Sequence, residues 1–191
     1  MAEKISKELK QAILEMPERE KDKILLRLVA KDSMLLRKLH HQLLEDEVDA
    51  EQQRKALAEA IEARFTSESF AYWSHTPGLV MMEMRDFSGA IGRHVKITKD
   101  KYGEVQLLLR LVNAPFRTQT KLLQKEQRRA GKFAEYTGKK AQIIFQKLEK
   151  LDRDFYLEFD REVNEMLGHL KQYPPTASLM QEYNLPDTWE Y

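Results

Sequence analysis

Cysteine is absent from all 191 residues, and with it go disulfides, thiolate nucleophiles, zinc–thiolate sites and iron–sulfur ligation. Glycine and proline are sparse, at 7 and 6, so most of the chain lacks the breakers that frequent turns need. No segment approaches the roughly 18 consecutive apolar residues of a membrane span. The first twenty residues alternate charged and apolar side chains, without the apolar stretch of a signal peptide. These absences predict a cytoplasmic protein that makes no membrane contact.

Several sequence signatures are missing too. There is no Gly-x-Gly-x-x-Gly or Walker pattern, no Gly-x-Ser-x-Gly, no His-Glu-x-x-His and no Glu-x-x-His. Without them the chain encodes no recognisable nucleotide cradle, hydrolase elbow, zinc peptidase or carboxylate-bridged metal bundle. The expectation is a protein with no cofactor, no metal ligand and no catalytic residue, hence not an enzyme. His40, His41 and Glu45 are the densest grouping of metal-ligating residue types, with His41 and Glu45 one helical turn apart. Nothing identifies the further ligands a site would need, and these residues read as the polar flank of a helix.

What remains is 42% hydrophobic and 33% charged residues arranged with helical spacing. The fold class predicted is all-α: a compact domain of seven to nine helices, short and antiparallel at first, longer after Thr118. Three regions are distinguished, 1–66, 67–173 and 174–191, within one structural domain. Short helices joined by tight turns resemble in style the HEAT class of helical-repeat proteins, although no repeat consensus extends that comparison.

Ile5, Leu9, Ala12, Ile13 and Met16 recur at spacings of three and four, as on one face of a helix. Pro17 stops it and opens a second, with Glu18 and Glu20 near the positive end of the macrodipole and Ile24, Leu25, Leu28 and Val29 as its buried face. Asp32 or Ser33 caps a third, carrying Leu35, Leu36, Leu39, Leu43 and Leu44. A fourth aligns Leu57, Ile61 and Phe65. The stretch TSESFAYWSHTPG reads as a loop ending in an N-cap at Thr76 with Pro77 as first helical residue. The next helix carries Val80, Met84, Phe87, Ile91 and Val95, with Gly89 and Gly92 marking a close helix crossing.

Residues 95–112 admit two readings. Val95 and Ile97 before TKDKYG, with Val105 and Leu107 after it, suit a β-hairpin. Val105, Leu108, Leu109 and Val112 suit a helix, which is preferred because the neighbours are helical and an isolated hairpin is marginal in water. Pro115 should end or kink that helix. Helical spacing resumes from Thr118, with a break at Ala130-Gly131, and reaches Leu170 as one long helix or two. The segment after Pro174-Pro175 is too apolar for a disordered tail and should pack on the body or dock into a partner.

Charge is unevenly placed. Residues 117–150 hold 10 Lys or Arg against 3 Asp or Glu, a net +7, while 151–191 hold 3 against 9, a net −6; the whole chain is +1. Lys121, Lys125, Arg128, Arg129 and Lys132 form a candidate basic surface for nucleic-acid phosphates, with Phe133 or Tyr136 as stacking partners. Alternatively, the acidic segment folds back to neutralise them. A candidate pocket is read from Tyr72, Trp73, His75, Glu83, Asp86, Arg93 and His94, a mixture of aromatic, imidazole and charged groups near a loop-to-helix junction. The function expected is non-catalytic, an interaction module or scaffold for a protein partner, with nucleic-acid binding as the alternative.

Overall fold

The computed structural model describes residues 5–44 and 47–191. The chain divides into two compact units, Met1–Asp46 and Glu47–Tyr191. The described residues form eleven α-helices and no strand. No described helix is long and apolar enough to cross a membrane.

The first unit holds α1 (Lys7–Glu15), α2 (Glu18–Lys31) and α3 (Ser33–Leu44). The Ser6 hydroxyl accepts from Leu9 N–H to cap α1. Asp32 Oδ1 accepts from Met34 and Leu35 N–H at 2.9 and 3.1 Å to start α3, so one residue joins two packed helices. The helices fall where the spacing predicts, but their apolar faces are not buried as expected. Val29 alone among the described residues of this unit is buried; Met16, Leu35 and Leu39 are half-buried. Ile24, Leu25 and Leu28 are exposed, and Leu43 and Leu44 are 75% and 74% exposed. Three short helices have too little surface between them to bury three apolar stripes.

The second unit is built around α7 (Lys101–Thr118). Its sequence VQLLLRLVNAPF is apolar on nearly every side, and a helix of that kind must be surrounded. It packs against α4 (Glu47–Thr66), α6 (Pro77–Thr98), α9 (Gly131–Leu148) and α10 (Tyr156–Gln172). Ile61 and Phe65 of α4, Val80, Met84 and Ile91 of α6, Phe133 and Ile144 of α9, and Phe159, Val163 and Met166 of α10 close the core. Thus α4, grouped by spacing with the first 66 residues, buries its apolar face in the second unit.

The TKDKYG turn is real, but it joins two helices. Lys99 adopts a left-handed conformation at φ 62° to end α6, and Asp100 Oδ1 accepts from Gly103 N–H at 2.7 Å to begin α7. A Cβ at residue 103 would collide with the Asp100 carboxylate and lie 2.5 Å from Arg54 Cδ, so a side chain there would displace the two groups that hold this turn.

Four expectations need correction. Helix α7 continues past Pro115 to Thr118; the buried packing around Pro115 outweighs the missing N–H, and the Pro115 carbonyl still accepts from Gln119 N–H at 2.8 Å. The predicted loop at 66–78 contains α5 (Glu68–Trp73), capped by Ser67 and anchored by buried Phe70. Gly89 and Gly92 mark no close crossing, since a Cβ on Gly92 would meet nothing within 4 Å and one on Gly89 only Arg93 Nη1 at 3.4 Å. The helix count exceeds seven to nine because α5, α8 (Thr120–Lys125) and α11 (Pro174–Ala177) are too short to show a full apolar period.

The expected break at Ala130 is present, after a 3₁₀ turn at Gln127–Arg129, and α9 and α10 are separate helices. The C-terminal segment packs on the body. Met180 and Tyr183 are buried, and Asn164 ties down Trp189, accepting from its N–H at 2.9 Å and donating to its carbonyl at 3.2 Å.

Candidate functional site

The seven residues read as a pocket are dispersed. Tyr72 and Trp73 on α5 point to solvent, 88% and 70% exposed. His75 is exposed, with Nδ1 2.9 Å from the Trp73 carbonyl. Glu83 is held by Arg64 through two hydrogen bonds of 2.9 and 3.0 Å. Asp86 and Arg93 are exposed. His94 is buried, its Nε2 3.9 Å from Asp100 Oδ2. At 1.5 Å of rise per residue, Glu83 and His94 sit roughly 16 Å apart along α6. Burial raises the Asp100 pKa, but nearby His94 and hydrogen bonds from the Gly103 N–H and Arg54 outweigh it and leave the carboxyl below its ordinary value. This arrangement organises the α6–α7 joint.

Among the described residues, no group of three or more His, Asp or Glu is placed to hold a metal ion. His40 and His41 lie on α3, and Glu45 lies outside the described residues.

The basic residues, in contrast, are brought together. Lys121 and Lys125 on α8, Arg128 and Arg129 in the following turn, and Lys132 in the first turn of α9 are all exposed. The acidic segment packs on the basic one, but among the described residues the ion pair between them is Arg117 with Glu165. Among the described residues, Arg129 has Glu126 at 3.7 Å, while Lys121, Lys125, Arg128 and Lys132 make no ion pair. Neither aromatic proposed for stacking is available: Phe133 is fully buried, and the half-buried Tyr136 donates to the Met84 carbonyl at 3.3 Å beneath Arg85 and Lys140.

Beside this cluster, sequence reading missed a cavity of about 430 Å³ between α7, α8 and α10. Phe116, Leu123 and Tyr173 form its buried walls. The His169 ring stacks on Phe116 at 5.3 Å between centroids and 13° between planes. The Tyr173 hydroxyl is committed to the Leu123 carbonyl at 3.2 Å, and burial pushes its pKa up to about 12. Gln124, Gln127 and Gln172 stand exposed at the mouth, their carboxamides making no hydrogen bond to another described residue. Gln124, Gln127 and Arg128 carry the concave surface onward into the basic turn.

An ion network braces the cavity from behind. Arg117 grips both oxygens of Glu165 with one edge of its guanidinium, Nε donating to Oε1 at 2.6 Å and Nη2 to Oε2, while Nη1 lies 3.6 Å from Glu62. Its hydrogen bond holds the Glu165 carboxyl below the ordinary carboxylate value. His169 Nε2 is 3.4 Å from Glu165 Oε1. Burial lowers the His169 pKa, only partly offset by Glu165, and burial raises that of Glu162. The only sequence signal for this site was Glu165 and His169 one helical turn apart; Phe116 and Tyr173 belong to separate apolar stripes 57 positions apart.

Comparisons with protein-family models, with curated proteins and with solved structures find no match for this chain.

Proposed function

We propose that this chain is a non-catalytic interaction module that engages a protein partner through the apolar faces of α1, α2 and α3. One observation carries this reading. Eleven large apolar side chains among the described residues of the first unit are exposed, among them Leu9 and Ile13 on α1, Leu25 and Leu28 on α2, and Leu36 and Leu43 on α3. Each buried Leu or Ile contributes about 1.5–3 kcal/mol, and contiguous exposed stripes of this kind characterise interaction surfaces. In the second unit, exposed Tyr72 and Trp73 are of the residue types that dominate interface energetics. The reading assigns a cytoplasmic location, supported by the lack of cysteine. Its test places a photo-crosslinking residue at Leu25 or Leu28 in cells: discrete adducts to one protein are expected there and not from Lys139 on α9. Equal, diffuse labelling at all three positions would refute it.

A second reading, a nucleic-acid-binding surface, is supported by the exposure and lack of acidic neutralisation of Lys121, Lys125, Arg128 and Lys132. Binding to mixed-sequence RNA or DNA should fall steeply with salt and vanish when these residues and Arg129 are changed to Glu. Absence of binding at low salt would discard it.

A further inference from the structure

We propose that the cavity between α7, α8 and α10 receives one unstacked base of single-stranded nucleic acid, whose flanking phosphates lie on Lys121, Lys125 and Arg128. This rests on the nucleic-acid reading above and adds to it a binding site and a strand preference. Phe116, His169 and Tyr173 line the cavity with aromatic rings, and bases gain most from stacking on aromatic faces. A volume of about 430 Å³ falls within the range of small-molecule sites. Gln124, Gln127 and Gln172 offer free carboxamides at the mouth, each with donors and an acceptor suited to a base edge.

The rim decides between a free nucleotide and a strand. Gln124 and Gln127 line both the cavity and the basic turn that holds Lys125, Arg128 and Arg129. Arg129 meets Glu126, and the four remaining exposed cations, Lys121, Lys125, Arg128 and Lys132, are spread along α8, the following turn and the start of α9, which suits successive phosphates of a backbone rather than one compact phosphate group. A duplex does not fit, because its bases are stacked on each other and cannot present a face to Phe116 or His169. Burial of the His169 ring disfavours its charged form, and an imidazole ring already stacked on Phe116 extends the aromatic surface of the cavity.

The test measures binding by fluorescence anisotropy at low salt, using a labelled thymidine 12-mer, the same backbone with every base removed, and a 12-base-pair duplex. The intact chain should bind the thymidine strand about tenfold more tightly than the abasic strand and more tightly than the duplex. Thr120→Trp, at the exposed rim, should remove the difference between the two strands by blocking the mouth. Gln124→Trp is a second blocking variant, and unchanged circular dichroism shows that either has folded. Equal binding of thymidine and abasic strands overturns the base cavity while leaving the cationic surface intact. Discrimination that persists in both folded tryptophan variants also overturns it. Failure to bind either strand at low salt removes this inference and the nucleic-acid reading together.

Discussion

Tyr183 lies against α9 at the point where that helix has no side chain: a Cβ on Gly138 would come within 2.6 Å of Cδ2 and Cε2 of the Tyr183 ring. This contact explains why the C-terminal segment belongs to the body. Gln142 Nε2 donates to the Tyr183 carbonyl at 3.3 Å one turn further on, and Asn184 at φ 52° lets the chain reverse after it. The segment's apolar residues thereby reach the core rather than solvent.

Gly138→Ala is accordingly expected to destabilise the second unit by about 1–3 kcal/mol, the usual cost of overpacking, and to speed proteolysis after residue 177. Gly92→Ala should do the opposite. A Cβ there meets nothing within 4 Å, so the helix propensity of alanine should add up to about 1 kcal/mol. Urea unfolding of both variants measures the two signs, and equal effects would contradict the packing described.

Asp100 joins three elements, accepting from Gly103 N–H and from Arg54 Nη1 at 3.1 Å beside His94. Asp100→Ala should cost about 1–3 kcal/mol through loss of the cap and the stranding of Arg54. Asp100→Asn keeps a capping oxygen and should cost less. Hydrogen exchange at the start of α7 should rise in the alanine variant first.

Stability should fall on acidification below pH 7. The folded pKa of His169 lies below its ordinary 6.5 because burial disfavours the imidazolium; its contribution is complete above 6.5 and is lost as pH drops through the folded value. Glu165, held below its ordinary 4.5 by Arg117, adds a second loss at lower pH, while Glu162, raised by burial, works in the opposite sense. His169→Gln should flatten the dependence of the urea midpoint between pH 7 and 5. An unchanged slope would show that another group dominates.

Phe133 is fully buried and packs edge-on against both Phe116 and Tyr173. Phe133→Ala should cost about 3–5 kcal/mol. Leu28→Ala on exposed α2 should change the stability of the isolated protein by no more than about 0.5 kcal/mol while weakening attachment of the proposed partner. Comparing the two by thermal unfolding and by crosslinking yield separates a core role from an interface role.

Helical periodicity is a local property, and it located α1 to α4, α6, α7 and the long helices after Gly131 with few errors. Thr76 before Pro77 and Asp32 before Ser33 marked real helix starts because capping depends on atoms within three residues. Pro115 and the TSESFAYWSHTPG stretch misled for the converse reason. Proline and serine weaken a helix locally, yet burial of Pro115 on all sides, and of Phe70 beneath α5, supplies what local propensity lacks.

Composition and spacing by themselves determined that this chain is built of amphipathic helices, where most of them begin, and that its charge divides into a basic and an acidic stretch. Only the tertiary structure decided which apolar stripes are covered. Periodicity gives Leu28 and Ile61 the same marking, and three short helices cannot bury what a ring of helices around α7 can. It also decided that, among the described residues, Arg117 is the cation of the basic segment that pairs with the acidic helix, leaving Lys121, Lys125, Arg128 and Lys132 without an ion pair. Finally, it set Phe116, His169 and Tyr173 around one cavity, because proximity across 57 positions arises from how helices pack and not from the order of residues along any one of them.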